Sequence, residues 1–357
     1  VRYTVVGSPG DRRVALFAAA CRASGLPDPD VVGWPDVLRG APLVLAPGTV
    51  LRVDSPGESP ESDALLRGPG DPARVGGGAA WYAAFTAALR RVVAAADAAG
   101  IHRTCDADEI AVMFDKRRCH ARLAAAGVPV PPALPQVTGY AELRAAMAEA
   151  GEPRVFVKPA HGSSGSGVVA LQTAPGRVKA VTPAAFGPGG LVNSLRLRSY
   201  ETEEEVAALI GALAPDGLHV ERWLPKASLD GRPFDLRVVV VGGVPTHAVA
   251  RVGSGPLTNL HLGGTRGDLG AVRDLLGPDG FAAALDVCAR AAACFPGTLM
   301  AGVDLLVGLG GRRVAVGEVN AFGDLLPNLT GLPGGPAEGR DTYAAQIAAA
   351  REALCST

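Results

Sequence analysis

The sequence lacks any uninterrupted apolar run of the ~18 residues that a membrane-spanning helix requires. It lacks a charge excess of either sign: 34 basic residues face 35 acidic ones, a net charge of -1. Such a balance gives no long-range field for nucleic acid or an anionic membrane, so neither is expected as a partner. None of its six cysteines (Cys21, Cys105, Cys119, Cys288, Cys294 and Cys355) forms a C-x-x-C pair. That spacing argues against a zinc site or a disulfide framework and for scattered thiols in a cytoplasmic protein. The first residues lack the apolar segment and small-residue cleavage site of a signal peptide and read as a β-strand. Internal repeats, a Walker A loop and a G-x-S-x-G elbow are also missing, which removes solenoids, P-loop NTPases and α/β-hydrolases.

What is present is a globular composition: 357 residues, 48% hydrophobic and 19% charged. At roughly 100–200 residues per domain, that is two or three domains, each able to bury a core. The fold class is α/β, divided as 1–110, 111–217 and 218–357. In the first unit, strands are expected at 3–6 and 43–45 and helices at 12–24 and 79–99, with 52–78 as loop. The second unit reads as helices 113–126, 140–150 and 203–213, strands 154–158 and 168–172, and a hairpin from 178–182 and 191–198; strand 218–224 opens the third. In the third, strands 236–241 and 246–252 flank Gly242-Gly243, and strands 299–307 and 313–320 flank a glycine turn, with helix 281–294 between the hairpins.

Three features carry chemistry. Val155-Phe156-Val157-Lys158 leads into a Gly/Ser loop with Ser163, Ser164, Gly165, Ser166 and Gly167. Glycines let backbone N–H groups approach an anion, serines add donors and the lysine adds a point charge, so the loop reads as a phosphate lid. Asp304 interrupts one apolar strand, and Glu318 and Asn320 interrupt the next. Glu318 and Asn320 are two apart and share a face, and three oxygen donors on neighbouring strands suit Mg²⁺. A buried salt bridge to an arginine is the structural alternative for the carboxylates. Arg237 and Arg251 lie on strand-like runs where a charge needs a partner, such as a transferring phosphoryl group or Asp235. His247 and His261 are read as ordinary hydrogen-bonded histidines.

The order of these parts resembles the ATP-grasp superfamily, in particular the branch that holds bacterial glutathione synthetase and the ligases that add glutamate to ribosomal protein tails. The resemblance spans Asp115 to about Asn328. It rests on Asp115-Lys116 with Gly127-Val128-Pro129, on Val157-Lys158-Pro159 with the Gly/Ser loop, and on His219-Val220-Glu221-Arg222-Trp223. Asp235-Leu236-Arg237, Asn259 with Gly263-Gly264, Gly302-Val303-Asp304 and Glu318-Val319-Asn320 complete the series. It implies an α+β ATP-grasp fold in which a preceding α/β domain is followed by two subdomains that sandwich ATP. By the same resemblance, Lys116 and Lys158 hold the ATP phosphates and Ser163 to Gly167 close over them. Glu221, Arg222 and Trp223 form the hinge beside adenine, Asp235 lies near the ribose, and Asn259 belongs to the nucleotide site. Asp304, Glu318 and Asn320 bind two Mg²⁺, replaceable by Mn²⁺, and Arg251, with Arg237, stabilises the transferred phosphoryl group.

The implied activity is an ATP-dependent carboxylate–amine ligase that forms an amide through an acyl phosphate. Its partners are a small-molecule or peptide carboxylate and an amine, and a homo-oligomer is compatible with it. A kinase on the same scaffold and a non-catalytic nucleotide-binding protein are the alternatives. Four segments depart from the family pattern: Arg222 in the hinge, the stretch 321–327 after Asn320, the insertion 177–200, and the loop 52–58. They mark a separate subfamily with an unassigned acceptor.

Overall fold

The computed structural model describes residues 1–57, 59–162, 165–323 and 326–355, and three β-sheets organise them. The first is parallel, in the order β2-β1-β3-β4, from Arg2–Gly7 (β1), Asp30–Gly33 (β2), Thr49–Val53 (β3) and His102–Arg103 (β4). Helices Arg12–Ala23 (α1), Trp34–Leu38 (α2), Pro60–Arg67 (α3), Gly78–Ala98 (α4) and Ala107–Met113 (α5) accompany it. The second sheet is antiparallel, in the order β8-β7-β6-β5-β9. Its strands are Arg154–Pro159 (β5), Val169–Ala174 (β6), Arg177–Gly187 (β7), Gly190–Tyr200 (β8) and Leu218–Arg222 (β9). Helices Lys116–Ala125 (α6), Tyr140–Glu149 (α7) and Glu203–Leu213 (α8) belong to this stretch of chain. The third is antiparallel, in the order β13-β12-β11-β14-β15, with Ser228–Leu229 (β10) paired to β11. Its strands are Arg232–Val241 (β11), Val244–Val252 (β12), Thr265–Gly267 (β13), Met300–Val307 (β14) and Val314–Asn320 (β15), with Leu269–Ala293 (α9) on one face and Thr342–Cys355 (α10) closing the chain.

Strand alternation sorts the third sheet into an apolar face and a charged one. Leu236, Val238, Ala250, Val303, Leu305 and Val319 join one core with Phe281, Ala284 and Cys288 of α9. The intervening Asp235, Arg237, Arg251, Asp304 and Glu318 take the other face. α10 returns to the first sheet, where Tyr343, Ile347 and Ala350 pack with Tyr3, Val5 and Phe17.

Several elements differ from the sequence expectation. The second strand is 30–33 and not 43–45, because Pro42 and Pro47 flank the latter and cannot donate to a ladder; Val44 there is 83% exposed. The segment 52–78 is not all loop. It contains α3, capped by the Ser59 hydroxyl accepting from Ser62 N–H, with Pro60 at its first position. The expected helix 113–126 starts later, at Lys116, because Asp115 takes an extended backbone and its carboxylate caps α6 through the N–H groups of Arg117 and Arg118; Met113 instead ends the separate helix α5. α9 begins at Leu269, twelve residues before the expected start, and passes a kink at Gly277 and Pro278. The strand expected over 218–224 ends at Arg222, and the hairpin expected from 178–182 and 191–198 extends to 177–187 and 190–200.

Candidate active site

Two lysines reach across the gap between the second and third sheets. The cap on α6 puts Lys116 at its first turn, where the ammonium lies 3.0 Å from a Glu318 carboxylate oxygen and donates to Gly162 O at 2.6 Å. Lys158 leaves β5 beside β9 and sits 2.6 Å from a Glu221 oxygen; it also donates to Gly317 O at 3.4 Å. Burial would lower the Lys158 ammonium, but Glu221 outweighs it and the pKa is raised. Burial would raise the Glu221 carboxyl; Lys158 and His219, whose Nε2 lies 3.1 Å away, hold it at about 2.

The charged face of the third sheet forms one cross-strand row. Asp235 stands opposite Arg251, Arg237 opposite Asp304, and Asp304 opposite Glu318. Arg251 Nε reaches Asp235 at 2.7 Å and Nη2 reaches Asp304 at 3.1 Å, while Arg237 Nε lies 2.6 Å from Asp304. The register slips between Asp304 and Leu305, leaving Gly317 as an extra residue beside Glu318. Gly302 makes room for this row, since a β-carbon there would stand 2.8 Å from Arg237 Nη1. Burial drives Asp304 up against the pull of both arginines, and the Asp235 and Glu318 carboxylates add to the rise. Burial would also raise Glu318, but Lys116 and Lys158 bring it below its ordinary value. Asp235 is held well below the usual range against its burial by Arg251 and Lys226, and Arg251 is correspondingly raised despite its own.

Between the sheets lies a cleft with a cavity of about 80 Å³. Its apolar end is Phe156, Val168, Leu257 and Leu306; its charged end holds both lysines, Arg251, Asp304 and Glu318. The Gly/Ser loop and the loop carrying Asn259 close it, for a β-carbon on Gly165 would meet Leu262 at 3.2 Å and Asn259 at 3.4 Å. Gly167 is equally confined. Its φ is +66, and a β-carbon would meet Val75 at 2.7 Å and Pro159 at 2.9 Å. Gly167→Ala is therefore expected to destabilise the chain by roughly 2–4 kcal/mol, from left-handed strain plus overpacking, as read by urea unfolding.

The structure thus brings together Lys116, Lys158, Gly165, Ser166, Glu221, Asp235, Arg251, Asn259, Asp304 and Glu318 as lining of one cleft. Ser163 and Ser164 lie outside the described residues. Five expected residues stand apart from that lining: Gly167 is hemmed in by Val75 and Pro159, Arg222 turns outward to Glu152, Trp223 packs its ring 5.2 Å from that of Phe156, the Asn320 amide donates to Gly302 O at 3.3 Å, and Arg237 is the fifth. Arg237 sits behind Asp304 and donates to Gly323 O. Sequence reasoning passed over Lys226, which lines the cleft, meets Asp235 at 2.9 Å and donates to Thr258 at 2.7 Å. Its only signal was the buried aspartate itself, which needs more than one charged partner.

The sequence matches no protein-family model and no curated protein. The structure does match solved ones. D-cycloserine synthetase DcsG aligns over 99% of this chain and 100% of its own, with a TM-score of 0.59 at 18% identity. ATP-grasp ligase PsnB, complexed with a minimal precursor, aligns over 97% and 98%, with a TM-score of 0.54 at 19% identity. The chain has the ATP-grasp fold. The ADP complex of N5-carboxyaminoimidazole ribonucleotide synthetase shares that fold over 90% of this chain and 70% of its own, with a TM-score of 0.55 at 11% identity. PsnB has also been solved with Mg and ADP. Within that fold, Gly165, Ser166 and Asn259 line the cleft between the second and third sheets.

Proposed function

We propose that the chain is an ATP-dependent ligase that joins a carboxylate to an amine, with Mg²⁺ as its metal. The observation that carries this reading is the pairing of Lys116 with Glu318 and of Lys158 with Glu221, in one cleft with the Arg251–Asp304 pair. A triphosphate drawing Lys116 onto its oxygens would leave Glu318 in need of another cation. Asp304 and Glu318, opposite each other on adjacent strands, have the hard oxygen donors that Mg²⁺ favours, so the donor set fits. Asn320, two residues along the same strand from Glu318, would have to turn from Gly302 towards the cleft to add a third donor. When bound, the metal would offset charge on the transferring phosphoryl group.

The protein's own work is positioning and charge neutralisation. Lys116 and Lys158 would orient the phosphates, and Gly165 to Gly167 would lie over them. Arg251, fixed by Asp235 and Asp304, would face the phosphoryl oxygens as negative charge builds. Phe156, Val168 and Leu306 offer an apolar slot for adenine. A cavity of about 80 Å³ is below the ~300–1,000 Å³ of small-molecule sites, so the two loops must part for entry and close to exclude water. The γ-phosphoryl passes to a carboxylate oxygen, giving an acyl phosphate and ADP. The amine nitrogen then bonds to the acyl carbon, the C–O bond to phosphate breaks, and phosphate leaves with the electron pair while the amine loses a proton.

Two readouts test this. ADP release should require a carboxylic acid, and hydroxylamine should trap the activated acid as a hydroxamate. A stable phosphorylated product without trapping would indicate a kinase instead. Glu318→Gln is expected to cut ADP release at least a thousandfold with the circular dichroism spectrum retained; turnover near wild type would remove Glu318 from the metal site.

A further inference from the structure

Two segments without a place in the family pattern, 52–58 and 177–200, meet in space. Ser55 and Gly57 from the first and Asn193 from the second line a separate cavity of about 580 Å³. β8 is fastened to the first unit there: Val75 N–H donates to Leu191 O at 2.9 Å, and Asn193 N–H donates to Ala73 O at 2.7 Å. Gly162 and Ser166 line both this cavity and the phosphate cleft, so the two are neighbours.

The chemistry of the lining is selective. Its two arginines are already committed. Arg67 Nε binds Asp63 at 2.7 Å, and its remaining nitrogens donate to the carbonyls of Arg74, Gly76 and Pro72. Arg74 donates to the carbonyls of Gly68 and Asp71 and lies 3.6 Å from Asp63. These contacts shape the 63–77 turn and leave the guanidinium groups poorly placed to grip an anion. His161 is stacked on Tyr82 with centroids 4.0 Å apart, and burial lowers its pKa. Against this, the Asn193 side-chain oxygen is buried without a donor among the described residues, and the rings of Trp81 and Phe114 stack 5.8 Å apart at the cavity wall. A buried acceptor asks for an N–H, and large aromatic side chains offer an apolar seat for the rest of a ligand.

We infer that this cavity is the subsite of the amine substrate, which places a primary amine against Asn193 and an apolar body against Trp81 and Phe114. The inference rests on the ligase reading above. It assigns acceptor choice to the two atypical segments, while the carboxylate is taken up on the cation side of the Gly/Ser loop.

The test uses the full chain, with 2-phenylethylamine and isoamylamine as amine probes and hydrocinnamate and isocaproate as their carboxylate counterparts. Binding is read by ligand-observed NMR, and AMPPNP with Mg²⁺ is titrated separately on the same protein. At least one amine should bind, both acids should not, and Asn193→Leu should weaken the amine at least tenfold with nucleotide affinity held within twofold. Trp81→Ala should act in the same direction, and circular dichroism checks that each variant folds. Binding of the acids instead, binding of no amine, or an Asn193→Leu protein with unchanged amine affinity overturns the assignment. Loss of nucleotide binding in the unsubstituted chain would overturn the ligase reading itself, so the two failures are distinguishable.

Discussion

Replacing Arg251 by alanine is expected to abolish ADP release and to cost about 3–5 kcal/mol of stability, the loss typical when one partner of a buried ion pair is removed. Arg251 is 4% exposed and is the direct link between Asp235 and Asp304. Without it, Asp235 keeps Lys226 and Thr258, but among the described residues Asp304 keeps only the arginine behind it and stays beside two further carboxylates. Arg251→Lys should recover much of the stability, because one ammonium can still meet Asp235. Turnover should stay low, since a single point charge cannot span both carboxylates and a phosphoryl oxygen. Urea unfolding and ADP release measured on the same samples separate the two effects. An alanine variant with wild-type turnover would take Arg251 out of the mechanism.

Lys158→Met is expected to weaken Mg·AMPPNP binding roughly 10- to 100-fold, from a charge-assisted contact of ~1.5–3 kcal/mol at 1.4 kcal/mol per decade. It should also destabilise the chain by about 3 kcal/mol, because Glu221, 2% exposed, would keep His219 as its only polar side-chain partner among the described residues. Adding Glu221→Gln should return most of the stability and none of the affinity, which distinguishes the structural role of the pair from the binding role of the lysine. The same pair predicts a pH dependence. The folded-state pKa of Glu221 is lowered to about 2 from 4.5, so its contribution is complete above about 4.5 and is lost as the pH falls towards 2. The Glu221→Gln chain should show a flatter stability profile across that interval in acid titrations followed by circular dichroism.

Much of this was legible in the sequence where polar residues interrupt apolar strands. Asp304 and Glu318 were read as neighbours from their placement on two runs joined by a glycine turn, and the ladder pairs them directly. Lys158 was read from a strand ending in a Gly/Ser loop, and it stands in the cleft. What periodicity could not convey was pairing across sheets. Glu221 and Asp235 are placed at the nucleotide by resemblance; in the structure each lines the cleft as a buried carboxylate beside cations, Lys158 for one, Arg251 and Lys226 for the other. Lys226 lies between strands, in an extended bridge opposite Gly308, where no repeat marks it. In the first unit, glycine and proline content concealed α3, whose existence depends on one serine cap and a proline at the first turn. Nothing in the sequence links the loop 52–58 to the insertion 177–200, because more than a hundred residues separate them, and only the fold brings Ser55, Gly57 and Asn193 to one cavity.

The most direct measurement is calorimetric titration of AMPPNP into the full chain with and without Mg²⁺, repeated on Lys158→Met and Glu318→Gln. One nucleotide per chain, with affinity that depends on Mg²⁺ and falls at least tenfold in each variant, is the predicted result. Binding indifferent to the metal and to both substitutions, or no binding at all, would contradict a nucleotide site between the second and third sheets.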